Sequence, residues 1–231
     1  VKLTIVMAYY ENSNMLARHY AAFAAMAEPV RECLHLILVD DGSPNYPLQP
    51  QPCGVEQEVY RMGVDVRWNQ DACRNLGVDR APDGWVLMTD IDHLVPEWTL
   101  SGLAHRQLDP AKVYRFSRRS EPDMSEYKPH PNSWLMTKAT FDRIGGYDER
   151  FAGLYGTDGE FRDRVKAKAE VELLDLPLIR VPREITPDAS TTTYLRKQPE
   201  DAEGIPRVKM LRAMEGEWVT KRLSFPWTRV V

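Results

Sequence analysis

Short apolar runs separated by polar, proline-bearing stretches set the rhythm of the chain. Leu3 to Ala8, Leu34 to Val39 and Trp85 to Asp90 carry almost no alternating polar positions. Runs of that length predict strands buried on both faces. Between the first two, Leu16, Tyr20, Phe23 and Ala27 recur at helical spacing behind a cap at Asn12 or Ser13, and Pro29 is expected to stop that helix. The opening is therefore β-α-β, a parallel pair joined by a right-handed crossover. After a Pro- and Gln-rich loop, Val55 to Tyr60 and Val64 to Trp68 are candidate extended pieces, and Asp71 to Val78 is a short helix.

The later pattern predicts a helix from Pro96 to about Gln107, a strand at Lys112 to Ser117, and a charged surface loop over Arg118 to Pro131. A strand at Ser133 to Thr137 leads to a helix, Ala139 to Ile144, closed by Gly145-Gly146. Beyond irregular Tyr147 to Gly156, Thr157 to Lys168 reads as a helix. Val171 to Leu174 and Leu178 to Val181 read as two short strands, and Arg183 to Tyr194 as a mobile loop. A last helix is expected over Pro206 to Met214, and Trp218, Phe225 and Trp227 make the tail too apolar to stay wholly in water. Strands alternating with helices in this way give an α/β, Rossmann-like fold with a mainly parallel sheet flanked by helices, in one domain spanning 1–231.

Composition narrows the class. The chain has 231 residues, 43% hydrophobic and 28% charged, with a net charge of −4, so no basic signature points to nucleic acid or anionic membrane. Cys33, Cys53 and Cys73 form no C-x-x-C pair, which argues against a disulfide framework or structural zinc. No transmembrane run and no signal-peptide core are visible. A soluble protein of a reducing, cytoplasmic compartment is expected.

Chemistry concentrates where apolar strands end. Asp90 and Asp92 close the run Trp85 to His93, at the edge where open α/β sheets bind ligands. Carboxylates there suit a hard divalent cation carrying phosphate oxygens, although a strand-end cap and a solvated acid would leave the same trace. Asp40-Asp41-Gly42-Ser43 ends the second strand and suits either a ribose or base contact or a turn that needs Asp and Gly. Thr157-Asp158-Gly159-Glu160 fits a capping box, with Thr157 at the cap and Glu160 three residues on. That leaves Asp158 free to project from the helix mouth as a general base. Trp68 could stack on a base and Arg74 could meet a diphosphate, or they could be a core Trp and a solvated Arg.

Taken in order, Ala8-Tyr9-Tyr10-Glu11-Asn12, Val39 to Ser43, Arg74 to Gly77, Thr89 to Asp92, Gly145 to Phe151 and Tyr155 to Phe161 resemble inverting glycosyltransferases of the GT-A fold. Two pieces, Thr89 to Pro96 and Trp68-Asn69-Gln70 through Asn75-Leu76-Gly77, also resemble β-1,4-galactosyltransferases and related N-acetylgalactosaminyltransferases. The resemblance covers about residues 1–168. It implies a nucleotide-binding half at 1–95, an acceptor and catalytic half at 96–182, and a C-terminal loop and tail at 183–231. It further implies that Ala8, Tyr9 and Glu11 line a nucleoside pocket, with Ile91 beside it. Asp41, with Asp40, would hold uracil or ribose, and Trp68, Gln70 and Arg74 would lie against the uridine diphosphate. A divalent metal, Mn²⁺ or Mg²⁺, would sit on Asp92, with Asp90 on the metal or the ribose, and a UDP-sugar would be the donor. Asp158 would be the base, with Trp134, Tyr155 and Glu160 near the acceptor.

Two features depart from the family pattern. No histidine follows Asp158 to complete the metal site, leaving Asp188, His93 or solvent as the third ligand. Thr157 stands where such enzymes carry a glutamate. A sugar nucleotidyltransferase is a weaker reading, because Ala8 to Glu11 is neither glycine-rich nor basic, and an inactive sugar-binding relative is the other alternative. The acceptor stays open among glycan, lipid-linked and nucleic-acid hydroxyls, with Arg115, Arg118, Arg119 and Lys128 as a basic cluster that could meet an acidic one.

Overall fold

A computed structural model of the chain describes residues 2–204, 206, 209–210 and 219–231. Most of the helix expected over 206–214, and Trp218, lie outside the described residues.

Each apolar run becomes a central strand. β1 (Leu3–Tyr9) pairs in parallel with β2 (Leu34–Asp40) on one side and β4 (Trp85–Asp90) on the other. β3 (Glu56–Met62) adds in parallel to β2. Alternate residues of these strands feed two cores. Ile5, Met7, Leu36, Leu38 and Leu87 face one layer, and Val6, Ala8, Ile37, Val39, Val86 and Met88 face the other. The first layer packs on α1 (Ser13–Ala25) and α4 (Glu97–Ala104), and the second on α3 (Gln70–Arg80) and α6 (Asp158–Lys168). α3 approaches β1 closely through Gly77, where an added Cβ would stand 2.3 Å from a Val6 methyl.

Beyond β4 the sheet turns antiparallel at β8 (Trp134–Thr137), then continues through β6 (Val113–Ser120) and β9 (Val171–Arg180) to the two-residue β5 (His93–Leu94). β7 (Ser125–Tyr127) folds back on β6, and β10 (Trp227–Arg229) pairs antiparallel with β3 at the opposite edge. Among the described residues the sheet has ten strands in one domain, and it is the mixed, mainly parallel Rossmann-like sheet expected.

Several local expectations are corrected. Pro29 does not merely end a helix. α1 stops at Ala25, and Pro29 sits in the first turn of a new short helix, α2 (Glu28–Glu32), where its missing N–H is harmless. Val64 to Trp68 is loop, and Trp68 takes a positive φ of 53°. Part of the Arg118–Pro131 loop is the β6–β7 hairpin, with Arg118 lying over Tyr127. The two strands expected around 171–181 are one, with a bulge opposite Phe116 and Ser117 that accommodates Pro177, which has no N–H to donate. The Arg183–Tyr194 loop holds turns and the start of α7 (Thr191–Arg196).

Candidate active site

The cavity lies at the C-terminal ends of β1 and β4, where the parallel strand order places a ligand crevice. It encloses about 230 Å³ and is lined by Ala8, Trp68, Gln70, Asp71, Arg74 and Asp90 to Asp92, by His130 to Asn132, and by Leu154 to Asp158 and part of 189–193.

Arg74 organises its floor. It is 1% exposed. One guanidinium nitrogen donates to Asp71 at 2.9 Å and another to Asp90 at 2.5 Å, while Tyr147 lies 5.3 Å away under its charge. Asp71 also accepts from the Thr157 hydroxyl at 2.9 Å. One cation therefore ties α3, the end of β4 and the mouth of α6 together, and helical spacing explains how: Asp71 and Arg74 are three residues apart on one face. Burial opposes the charge on Asp90, but Arg74 and then His130 hold it well below the usual carboxylate range. Burial pushes Asp71 up to about 6 against the pull of Arg74.

Asp92 has a different company. Its Oδ1 lies 2.7 Å from His93 Nδ1, and His93 Nε2 lies 3.1 Å from an Arg118 guanidinium nitrogen. A guanidinium only donates, so His93 Nε2 accepts and Nδ1 carries the proton that is donated to Asp92. Both nitrogens of this fully buried ring are thereby engaged. The His130 ring sits 4.0 Å from it, centroid to centroid, with Nδ1 2.9 Å from Ser133 Oγ and Nε2 3.4 Å from Asp90. Asp92, His93 and His130 offer ligand atoms within 4.8 Å of one another, a group that could hold a metal ion.

Asp158 also lines the cavity, at the first turn of α6. Burial raises its carboxyl above the ordinary value, Arg74 pulls it down, and Asp90 adds to the rise. The capping box is not formed. Thr157 makes no cap bond, its hydroxyl being spent on Asp71, and Glu160 pairs with Arg164.

The structure gathers Ala8, Trp68, Gln70, Arg74, Asp90, Ile91, Asp92, Tyr155 and Asp158 around one space. The other expected site residues lie elsewhere. Tyr9 points into the opposite core and donates to the Tyr46 carbonyl. Glu11 accepts from the Asn45 and Tyr46 amides, and Asp40 from the Ser43 and Leu48 amides, so both build the loop after β2. Asp41 is sealed under Arg196. Trp134 is core, edge-on to Phe161, and Glu160 is buried in its ion pair. Neither reaches the cavity, because their strand and helix faces are turned into the second core layer. Asp188 is no metal ligand either, since its carboxylate caps α1 through the Asn14 and Met15 amides. Arg115 and Arg118 are occupied by the carbonyls of residues 128–130. Sequence reasoning missed Asp71, His130 and Asn132. Asp71, three residues before Arg74, was the recoverable one.

No protein-family model matches the chain, and no curated protein matches it by sequence. Among solved structures it is similar to residues 1–349 of TarS from S. aureus, in complex with UDP-GlcNAc. That match has a TM-score of 0.65 and 14% identity, covering 94% of this chain and 68% of that one. It is also similar to the catalytic domain of Drosophila β1,4-galactosyltransferase 7, in complex with xylobiose. There the TM-score is 0.51 at 13% identity, over 74% of this chain and 64% of that one. The chain has the GT-A fold.

Proposed function

We propose that this GT-A domain transfers a sugar from a nucleotide-sugar, a UDP-sugar in first place, to an acceptor hydroxyl with inversion. The observation that carries the proposal is that Asp158 lines the same cavity as Asp90 and Asp92, at strand ends where an open α/β sheet binds its ligand. Both similar structures named above were solved with a nucleotide-sugar or a saccharide bound.

The donor set fits a divalent cation. Asp92 supplies a carboxylate, the ligand type that suits Mn²⁺ or Mg²⁺, with the His130 imidazole beside it, and His93 orients Asp92 rather than binding. Mn²⁺ or Mg²⁺ held there would act as a Lewis acid toward the diphosphate leaving group. Arg74 keeps Asp90 ionised and fixed, so Asp90 is suited to a ribose hydroxyl or to a water on the cation. Asp158 accepts the proton of the acceptor hydroxyl as that oxygen attacks the anomeric carbon on the face opposite the leaving group. Its raised carboxyl makes it a better proton acceptor than an ordinary surface Asp. One displacement then converts an α-linked donor into a β-linked product. Tyr155, at the cavity wall, would lie near the acceptor.

A screen of UDP-sugars for Mn²⁺-dependent hydrolysis, followed by a panel of glycan, lipid-linked and nucleic-acid acceptors, tests the proposal. Turnover that disappears in Asp158→Asn while UDP still binds supports it. Full transfer by that variant would remove Asp158 from the role of base. UDP-sugar binding without any turnover would instead favour an inactive sugar-binding protein.

A further inference from the structure

β1 lies between β2 and β4 in the sheet, so the end of β2 flanks the end of β1 on the side away from Asp90 and Asp92. A nucleotide with its diphosphate at Asp90 and Asp92 would reach toward Asp41 and Tyr10 with its base. That end of the crevice is filled. Arg196, only 4% exposed, donates to the Asp41 carboxylate at 2.5 Å and to the Asp41 carbonyl at 3.0 Å, and pairs with Asp65. Its guanidinium carbon lies over the Tyr10 ring, 3.4 Å from the centroid. A planar, donor-bearing group stacked on an aromatic face and hydrogen-bonded to a carboxylate is what a nucleobase would present to the same residues. The open cavity of about 230 Å³ is smaller than the roughly 300–1,000 Å³ of ordinary ligand sites.

The segment that delivers Arg196 is tied at both ends. At one end Asp188 caps α1, and its carbonyl accepts from Thr191. At the other, Asp201 accepts from Arg67 and from the Trp68 indole, whose ring packs 4.9 Å from Tyr155. The same stretch thus occupies Asp41 at the end of β2 and Trp68 on the cavity wall.

We propose that residues 188–201 form a strap displaced by the donor, with Arg196 holding the nucleobase seat in the free protein. Binding of the base exchanges the guanidinium for the base on Tyr10 and Asp41 and lifts the centre of the strap while its Asp188 end stays fixed. This rests on the reading that a nucleotide binds across β1.

Hydrogen exchange on the wild-type protein, with UDP and in parallel GDP as probes in the presence of Mn²⁺, is the first test. The expected result is slower exchange along the cavity wall at 68–75 and 154–158, together with faster exchange at 191–198. Slower exchange in both regions would mean that the strap closes on the nucleotide, and would overturn the proposal. Slower exchange at the wall with no change at 191–198 would overturn it as well. No response anywhere, with no binding by calorimetry, would overturn the nucleotide reading itself. Calorimetry on Arg196→Ala is the second test. UDP affinity should rise about tenfold, the factor by which a seat occupied roughly nine-tenths of the time masks intrinsic affinity. Weaker binding would make Arg196 a donor ligand instead and refute the strap.

Discussion

The ends of β2 and β4 begin as the same signal and finish as opposites. Both are apolar strands running into two aspartates. After β2 the acids are adjacent, so they point to different sides. Asp40 turns inward to accept the Ser43 and Leu48 amides, and Asp41 is covered by Arg196 from the far end of the chain. After β4 the acids are two apart, and both reach the cavity, Asp90 on Arg74 and Asp92 on His93. The lesson is that a strand-end carboxylate becomes a site or a brace according to where its cation comes from. Arg74 belongs to a helix packed on β1 through Gly77 and cannot leave without unmaking the core. Arg196 belongs to a short surface helix and is bound mainly by what it covers.

The largest effect should come from Asp158, which lines the cavity with the acids of β4. Asp158→Asn is expected to lower turnover by about 10²–10⁴-fold with little change in melting temperature or UDP binding. Comparable turnover would mean that the β4 cluster does chemistry without that base. Next, Arg74→Met leaves Asp71 and Asp90 without their shared partner, and breaking such a buried pair costs about 3–5 kcal/mol. Urea unfolding measures it, and a loss below about 1 kcal/mol would show Arg74 to be as dispensable as a surface ion pair.

A third test sets one strand end against the other. His93→Gln should weaken the Mn²⁺ response about 10–100-fold, as removal of a ligand's hydrogen-bond partner does. Asp40→Ala should leave that response alone and cost about 1–3 kcal/mol of stability through its unpaired amides. Equal Mn²⁺ effects from the two variants would erase the distinction. The smallest effect is a pH dependence. Burial pushes Asp41 up to about 7 in spite of Arg196, above its unfolded value, so the folded protein loses stability as pH rises toward and through that point. Removing the guanidinium raises Asp41 further. At low pH the acid is neutral with or without Arg196, so the melting-temperature gap between wild type and Arg196→Ala should be small there and widen as pH rises through about 7. A gap independent of pH would show that Asp41 stays ionised in both.

Much of the scaffold was legible. The apolar runs of β1, β2, β4 and β8 can be buried only as central strands, and Gly145 ends α5 (Lys138–Ile144) in the left-handed conformation that a glycine stop requires. The β6–β7 hairpin was not, because charges and prolines disguise a strand pair in which Arg118 lies over Tyr127. The capping box at Thr157 failed for a tertiary reason, since Asp71, 86 residues away, claims the hydroxyl.

By itself the sequence determined the succession of strands and helices in the nucleotide half and the placing of Asp90, Asp92 and Asp158 at element ends. Those outcomes follow from local periodicity and from where apolar runs stop. Only the tertiary structure decided which side chains share a space. His130 joins Asp92 from the loop between β7 and β8, Trp134 and Glu160 turn into the core, and Arg196 crosses 155 positions of sequence to reach Asp41. Charges desolvated on folding must find partners wherever the chain brings them, and no local pattern records that choice.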